Sequence, residues 1–400
     1  MNWIDKLARK AVRRRLADLE QGGLTLVEDD AEQVFGDGSG ARITVHDQRF
    51  WRAIAFGGSV GAAEAYMDGD WTCDDLTEVV RLFVRNREAM DGVEKGWARL
   101  AIPIRKLLHG IRRNTRTGAR RNVAAHYDLG NEFFSLFLDP TLTYSCGVFE
   151  NEQSTLEQAS IEKYDRLCRK LDLKPGDEVV EIGSGWGGFA IHAATNYGCR
   201  VTPTTISKEQ HDLARRRIEA AGLSDRVTVL LKDYRELEGR FDKLVSIEMI
   251  EQVGHQYYDD YFRKCAELLK PDGIMAIQAI TIQDAGYESA RKEVDFIKRY
   301  IFPGTCIPSV SRLCESMARI TDLRLFDLEE IGMHYATTLR KWRENFLGHV
   351  DRVLSMGFPR EFVRMWDFYF AYCEGGYRER YLGNAQLVFT KPGCRREPLR

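Results

Sequence analysis

The sequence predicts an α/β fold with a doubly wound parallel sheet, a smaller N-terminal domain and helical insertions. Between residues 178 and 282, strand-like apolar runs alternate with helical patterns, as βαβ units require. The length of 400 residues exceeds what one compact core usually holds, so two domains are expected. The predicted strands are 178–182, 200–204, 226–231, 244–247 and 274–282, and the predicted helices between them are 189–196, 208–221 and 257–269.

Two more strands, 323–331 and 385–390, complete the predicted sheet. The residues between them include a long helical pattern rich in aromatic side chains, 338–380, which we interpret as an insertion. A helix before the sheet is expected to begin at a capping box that pairs Ser154 with Glu157, because a hydroxyl followed three residues later by an acid is typical of a helix start.

The domain boundary is expected at a basic segment. Residues 95–127 contain nine Lys or Arg and no acidic residue. We therefore predict an accessory domain over residues 1–94, a basic linker over 95–125 and the main domain over 126–400. Lipid-surface or dimer contacts are the roles expected for residues 1–94, so the sequence leaves a homodimer open.

The charge pattern favours a membrane surface over nucleic acid as a partner. The chain has 58 Lys and Arg against 60 Asp and Glu, a net charge of −2, and so lacks the basic surplus of a nucleic-acid coat. Apolar and basic residues alternate at helical spacing over residues 3–19. This segment is either a terminal helix packed on its own domain or a helix that rests on anionic lipid headgroups.

The expected location is the cytoplasm, in peripheral association with the inner face of the cell membrane. No apolar run reaches the roughly 18 residues of a membrane-spanning helix, and the basic N-terminus lacks the apolar run of a secretory signal. The nine cysteines form no C-x-x-C pair, so we expect a reducing compartment and no metal site.

A glycine-rich turn follows the strand at 178–182. Gly183, Gly185, Gly187 and Gly188 connect it to the next helix, so bare backbone can approach a ligand at a helix N-terminus. Both dinucleotides and S-adenosylmethionine bind at such turns. A dinucleotide oxidoreductase is disfavoured, because no acid ends the next strand to hold the ribose hydroxyls.

Polar residues near the ends of the next two strands are candidate contacts for a nucleoside. Thr205 and Gln210 are placed to hydrogen-bond a ribose in place of the missing acid. Asp233 is placed to accept a hydrogen bond from an adenine amino group, since an ionised carboxylate is an acceptor.

Ordered blocks along nearly the whole chain carry a resemblance to one family. The sequence resembles the cyclopropane-fatty-acyl-phospholipid synthases, which are similar to the mycolic acid cyclopropane synthases. So many blocks in one order are far more specific than the glycine turn. The blocks are 50–52, 66–71, 126–131, 138–146, 181–188, 205–210, 232–235, 251–254, 300–304 with 308–309, and 335–339.

The resemblance implies a class I S-adenosylmethionine-dependent methyltransferase, with residues 126–400 as its catalytic domain. Its expected reaction transfers the methyl group to a cis double bond of an unsaturated phospholipid acyl chain in a bilayer and closes a cyclopropane ring. The resemblance assigns cofactor contacts to Tyr144, Ser145, Gly183, Gly185, Trp186, Thr205, Gln210, Asp233 and Tyr234.

The resemblance also implies bicarbonate as the base that removes the final proton. Cys146, Glu251, Ile280 and Tyr335 are expected to surround this anion. We interpret Cys146 as a lining residue and not a nucleophile, because no histidine or other base motif stands at a recognisable spacing from it. Glu251 is expected to position the proton of the anion through hydrogen bonds, since two adjacent negative charges repel each other.

One position departs from the family pattern. Gln278 stands where the family has a histidine in the run that contacts bicarbonate. An amide donates a hydrogen bond but cannot relay a proton near neutral pH, so deprotonation is the step in doubt. Two alternatives follow: a methyltransferase that gives a methyl-branched or methylene fatty acyl product, and a catalytically silent lipid-surface protein that keeps the fold.

Overall fold

The computed structural model describes residues 3–87 and 129–397, which form two compact units. The N-terminal unit contains residues 3–87 together with 293–303 and 339–381. The remaining described residues form the sheet unit. The predicted linker at 95–125 lies outside the described residues, and the roles expected for residues 1–94 and 126–400 stay predictions.

The N-terminal unit is built on a small sheet with the strand order β2-β1-β3-β4. β1 pairs with β2 antiparallel and with β3 parallel, and β4 is antiparallel to β3. Its elements are α1 (Trp3–Leu16), β1 (Gly23–Glu28), β2 (Ala31–Gly36), β3 (Gly40–Val45), α2 (Arg49–Asp68), β4 (Trp71–Cys73) and α3 (Leu76–Arg85).

Helix α1 packs on its own unit through one apolar face. Ala8, Val12 and Leu16 on this face are buried. Glu28 of β1 is buried and accepts a hydrogen bond from Arg13 at 3.0 Å and one from the indole of Trp51 at 2.9 Å. These contacts are those of a terminal helix packed on its own domain, which is one of the two expectations for this segment.

The sheet unit contains a seven-stranded sheet, among the described residues, in the order β10-β11-β9-β8-β5-β6-β7. The doubly wound prediction is confirmed for β5 to β9, whose neighbouring pairs are parallel. β11 is the exception to the expected parallel arrangement, since it pairs antiparallel with β9 and β10. The strands are β5 (Glu178–Ile182), β6 (Arg200–Thr205), β7 (Leu230–Leu231), β8 (Phe241–Ile247), β9 (Leu269–Ile282), β10 (Arg324–Glu330) and β11 (Leu382–Thr390).

Helices cover both faces of this sheet. Val180 and Val179 of β5 belong to two separate buried clusters, and successive side chains of a strand point to opposite faces. The unit therefore has two apolar layers, one on each side of the sheet. The helices are α4 (Asn131–Ser135), α5 (Leu156–Leu171), α6 (Gly188–Tyr197), α7 (Lys208–Ala220), α8 (Tyr258–Leu268), α9 (Asp284–Lys292) and α10 (Val310–Ile320).

Two predicted details need correction. The capping box of α5 is one residue later than expected, because the Thr155 side chain accepts from the Gln158 backbone and Gln158 bonds back to Thr155. The helical pattern over 338–380 is not one element, since a turn at 356–359 separates its last helix. The helices that cover it are α11 (Gly332–Gly348), α12 (Val350–Ser355) and α13 (Arg360–Arg378).

Candidate active site

The glycine turn lies between β5 and α6, as predicted. Gly183 has φ 89°, and Gly187, which precedes the first residue of α6, has φ 84°. A Cβ atom at position 183 would lie 2.9 Å from Cγ of Met249. The turn therefore needs glycine at position 183 both for its left-handed backbone and for the close approach of Met249.

One cavity of the sheet unit lies at the carboxyl ends of β5, β6 and β8, where ligands of open α/β sheets bind. Every residue that the resemblance assigns to the cofactor lines this cavity, although contact with the cofactor itself stays a prediction. These residues are Tyr144, Ser145, Gly183, Gly185, Trp186, Thr205, Gln210, Asp233 and Tyr234.

The polar residues expected at the nucleoside already bond to neighbours. The hydroxyl of Thr205 donates to Oε1 of Gln210 at 2.8 Å. The carboxylate of Asp233 is buried and receives two hydrogen bonds from the Arg235 guanidinium, at 2.8 and 2.6 Å. These pairings fix both acceptors in the cavity wall before any ligand binds.

Aromatic side chains stiffen the part of the wall formed by Tyr144 and Trp186. Both rings pack against Phe134 of α4, with ring centroids 5.3 and 5.2 Å apart. The indole of Trp186 donates to Oδ1 of Asn131 at 2.6 Å. Residues 131–134, which belong partly to a block of the resemblance, therefore support the cavity from behind.

Sequence reasoning gave no role to two buried ionisable residues of the cavity wall, Lys163 and Glu181. Burial lowers the pKa of Lys163 to about 8 and raises the pKa of Glu181 to about 8. The Lys163 amine donates to the Ser145 hydroxyl at 2.8 Å, whereas Oε2 of Glu181 is buried without a hydrogen-bond partner in the described part of the chain. The helical position of Lys163 gave no signal, but Glu181 lies two residues before Gly183, the first glycine of the predicted turn.

A third missed residue, Glu248, is the centre of a hydrogen-bonded cluster at the end of β8. Glu248 lines the cavity, and its carboxylate accepts from the backbone N–H of Cys146 at 3.0 Å, from Nε2 of Gln278 at 2.9 Å and from the hydroxyl of Tyr335 at 2.8 Å. Asn384 adds a fourth donor at 2.7 Å. Three of the five residues expected around the base thus converge on one carboxylate of the chain itself.

Cys146 and Gln278 also bond to each other within this cluster. Nε2 of Gln278 donates to the carbonyl of Cys146 at 3.2 Å, and its Oε1 accepts from Gln386 at 3.0 Å. Burial, with the charge of Glu248 acting in the same direction, raises the pKa of the Cys146 thiol well above its ordinary value. A neutral buried thiol agrees with a lining role for Cys146, because thiolate is the nucleophilic form.

Glu251 and Ile280 form a separate pair beside the cluster. Oε1 of Glu251 accepts from the backbone N–H of Ile280 at 2.5 Å, and its Oε2 is buried without a partner among the described residues. Burial and, second, the nearby charge of Glu248 raise the pKa of Glu251 to about 8. At neutral pH Glu251 is therefore mostly protonated and neutral.

The sequence matches the mycolic acid cyclopropane synthetase family over residues 114–387. It is 38% identical over 349 residues to the tuberculostearic acid methyltransferase UfaA1 of Mycobacterium tuberculosis, covering 86% of this chain and 81% of that protein. It is 37% identical over 361 residues to the cyclopropane-fatty-acyl-phospholipid synthase of Escherichia coli K12, covering 88% of each.

A solved structure of the mycolic acid cyclopropane synthase CmaA1, complexed with SAH and CTAB, has a similar fold. The TM-score is 0.64 at 30% sequence identity, and the alignment covers 68% of this chain and 98% of that one. The mostly parallel seven-stranded sheet described here is accordingly the Rossmann-like sheet of class I S-adenosylmethionine-dependent methyltransferases.

Proposed function

The chain belongs to the mycolic acid cyclopropane synthetase family and is an S-adenosylmethionine-dependent methyltransferase, and from this premise we propose that it acts on a cis double bond of a phospholipid acyl chain and forms a cyclopropane fatty acid. The observation that supports the proposal is that the residues expected to contact the cofactor line the same cavity as Glu248. A methyl donor bound by those residues would lie in the cavity that Glu248 also lines.

The cavity fits S-adenosylmethionine on an observation independent of the resemblance. Oε2 of Glu181 is a buried acceptor that lacks a partner in the described residues, and the cofactor carries an ammonium group that can donate to it. A cation bound there favours the ionised form of a carboxyl group whose pKa burial has raised to about 8. When bound, the cofactor supplies an electrophilic methyl group on a sulfonium.

The residues of the chain then have three tasks. The glycine turn and the wall of Tyr144 and Trp186 hold the donor in one orientation, which matters because an alkene is a weak nucleophile and needs close alignment. The apolar parts of the wall exclude water from the carbocation that methylation creates. The Glu248 cluster keeps a negative charge beside the position where positive charge develops.

Bicarbonate, the base that the resemblance implies, does not fit the donors as this chain arranges them. The N–H of Cys146, the amide of Gln278 and the hydroxyl of Tyr335 bond to Glu248. A second anion placed among the same donors would meet the charge of that carboxylate. Bicarbonate therefore has no role in the reaction that we propose.

A methyl-branched or methylene fatty acyl product is the second candidate outcome. The relative UfaA1, at 38% identity, is named a tuberculostearic acid methyltransferase and not a cyclopropane synthase. The ring and the methylene group share the methyl transfer, and each forms from the cation by loss of a proton. A saturated methyl branch would require a hydride donor in addition.

One assay separates these candidates. The full-length protein is incubated with labelled S-adenosylmethionine and vesicles of cis-unsaturated phospholipid, and the fatty acids are analysed by mass spectrometry. Cyclopropane in the acyl chain supports the first candidate, and a methylene or methyl branch supports the second. Absence of label from every lipid contradicts both and leaves a catalytically silent lipid-surface protein.

Peripheral binding to an anionic membrane, on the inner face in the cytoplasm, forms part of the proposal. Opposite its packed face, α1 exposes Trp3 (71% exposed) and Leu7 (56%) beside the exposed basic residues Lys6, Lys10 and Arg14. Apolar side chains flanked by basic ones are typical of interfacial helices. None of the helices in the described ranges is long and apolar enough to cross a membrane. A homodimer stays a prediction.

The surface of α1 can be tested directly with the double variant Trp3→Ser, Leu7→Ser. We expect its affinity for anionic phospholipid vesicles to fall about tenfold, because two apolar side chains no longer enter the interface. Sedimentation with vesicles at low and high salt measures the effect. Val34→Ser is the matched control, since Val34 is a similarly exposed apolar residue of the same unit (57%). Unchanged sedimentation of the double variant would leave α1 a purely structural helix.

A further inference from the structure

Glu248 has a backbone conformation that is unfavourable for its residue type. Its φ is 49°, in the left-handed region, which is sterically unfavourable for a residue with a Cβ atom. Non-glycine residues in such conformations cluster at functional sites, where surrounding contacts hold them. At Glu248 these contacts are hydrogen bonds to its carboxylate.

Four donors hold the carboxylate, and they come from four different parts of the sheet unit. Oε1 accepts from the backbone of Cys146, from Gln278 on β9 and from Asn384 on β11. Oε2 accepts from the hydroxyl of Tyr335 on α11 at 2.8 Å. The backbone N–H of Glu248 donates to the carbonyl of Gln278 at 2.7 Å. The carboxylate thus has a fixed position and orientation at the cavity wall.

Three of these donors, from Cys146, Gln278 and Tyr335, belong to residues that sequence analysis expects around a free bicarbonate. From this coincidence we propose that the carboxylate of Glu248 takes the place of bicarbonate and is the base that accepts the proton from the methylated acyl chain. The proposal rests on the proposed function for its substrate. It makes Glu248 a catalytic residue and assigns Gln278, Tyr335 and Asn384 the role of positioning it.

The proton transfer balances without another reactant. After methylation, one carbon of the former double bond carries the methyl group and the other is cationic. A C–H bond of the new methyl group breaks, its electron pair forms the third bond of the ring, and the proton goes to an oxygen of Glu248. For a methylene product, a hydride first shifts from the methyl-bearing carbon to the cationic carbon. The electron pair of a methyl C–H bond then forms the double bond of the C=CH₂ group. In both cases Glu248 ends as a neutral acid.

Position matters more than basicity in this step. A proton next to a carbocation is far more acidic than a carboxylic acid, so transfer to any carboxylate within reach runs downhill. The neighbouring Glu251 is mostly neutral at pH 7, because burial and the charge of Glu248 raise its pKa to about 8. Of these two carboxyl groups, Glu248 is the one whose residue lines the cavity.

Bicarbonate dependence tests the proposal first, on the unaltered full-length protein. In buffer freed of carbon dioxide, we expect the rate of lipid methylation to stay within about twofold of the rate in bicarbonate. A rate that collapses without bicarbonate and returns when bicarbonate is added would overturn the proposal. This measurement requires no variant and so does not depend on how variants fold.

Two variants of Glu248 sharpen the test. Glu248→Gln keeps the shape but removes the basic oxygen, so we expect product formation to fall about 100-fold or more, in the range of a lost general base, while cofactor affinity changes less than about threefold. Glu248→Gly relieves the left-handed strain and empties the space between the four donors. Added bicarbonate or formate should restore its activity at least about tenfold but leave Glu248→Gln inactive.

The matched control is Asp172→Gly. Asp172 also has a left-handed backbone, with φ 54°, but it caps the end of α5 and does not line the cavity. It should retain activity without any response to added anions. Full activity of Glu248→Gln would overturn the proposal.

Binding of ¹³C-labelled bicarbonate, followed by NMR, separates failure of the proposal from failure of the proposed function. The proposal predicts binding to Glu248→Gly and none to the unaltered protein, even if no lipid tried is a substrate. Binding of bicarbonate to the unaltered protein in competition with the Glu248 side chain would overturn it. Absence of lipid methylation with any substrate would contradict the proposed function alone.

Discussion

Two turns at the carboxyl ends of neighbouring strands form the site, and they reach the same backbone region with different residues. After β5, Gly183 and Gly185 have φ values of 89° and 50°. After β8, Glu248 has a φ of 49°. Glycine adopts this conformation without steric cost, whereas glutamate does not. The conformation of the first turn can be predicted from its glycines. That of the second turn cannot be predicted from a glutamate.

The two turns also present different chemistry to the cavity. The glycine turn offers backbone and open space, so a ligand can approach it closely. The Glu248 turn fills its space with a carboxylate that four donors hold. One turn is built to bind a cofactor and the other to supply a charge. Substitutions that fill the space at the glycine turn, or that remove the carboxyl group next to Glu248, test this difference.

The largest effect is expected from Gly183→Ala. Its Cβ would lie 2.9 Å from Cγ of Met249 on a backbone with φ 89°, so both the clash and the strain oppose the native turn. The dissociation constant for S-adenosylmethionine, measured by calorimetry, should rise about 30-fold or more, which corresponds to roughly 2 kcal/mol. Gly176→Ala is the matched control, since Gly176 has the same φ of 89° and no atom within 4 Å of its Cβ position. If Gly183→Ala bound the cofactor normally, close backbone approach would not define this turn.

A separate effect, on the pH dependence of stability, is expected from Glu251→Gln. Burial raises the pKa of Glu251 to about 8 from an ordinary value of 4.5, so the unfolded chain loses this proton at lower pH than the folded one. The stability gained by the neutral form is complete below pH 4.5 and declines as the pH rises towards 8. The variant should flatten the fall in unfolding free energy between pH 5 and 8, by at most about 1.4 kcal/mol per pH unit.

Urea unfolding at intervals across that range measures the slope. Glu238→Gln is the control, because Glu238 is exposed. An identical slope for Glu251→Gln and the unaltered protein would mean that Glu251 is ionised in the fold. That result would contradict the neutral form that we assign to Glu251 at pH 7.

The smallest effect is expected from Gly185→Ala. The φ of 50° at Gly185 nearly equals that of Glu248, and no atom lies within 4 Å of its Cβ position. The substitution should cost about 1 kcal/mol in unfolding free energy, from backbone strain alone, and weaken cofactor binding less than about fivefold. Binding calorimetry and urea unfolding provide both values. A loss as large as that of Gly183→Ala would show that space at the turn is not what distinguishes the two glycines.

Local patterns were sufficient to predict the sheet and one half of the site. Strand-like runs and the glycine turn are continuous in sequence, so β5, β6, β8 and the cavity position followed directly. The Glu248 cluster could not be predicted in this way, because its donors lie at Cys146, Gln278, Tyr335 and Asn384. Asn384 was even excluded from the predicted last strand, which began one residue later than Asn384 and three later than the observed start at Leu382.

The segments that make up the N-terminal unit could not be predicted from local patterns for a similar reason. Residues 293–303 and 339–381 belong to the N-terminal unit through contacts with distant parts of the chain. A change in composition, such as the basic segment at 95–125, can indicate one boundary along the chain. It does not indicate that later segments return to the first unit. Here the chain returns to the first unit twice more.

The place of β11 between β9 and β10 has a consequence for biosynthesis. After β10 has been synthesised, about fifty residues must still be added before β11 begins. Synthesis proceeds at roughly 5–20 residues per second, so the edges of β9 and β10 that pair with β11 stay unpaired for several seconds. Open edges can pair with other chains. A chain truncated before Leu382 would lack β11 and Asn384 with it, and it should aggregate rather than persist as an inactive enzyme.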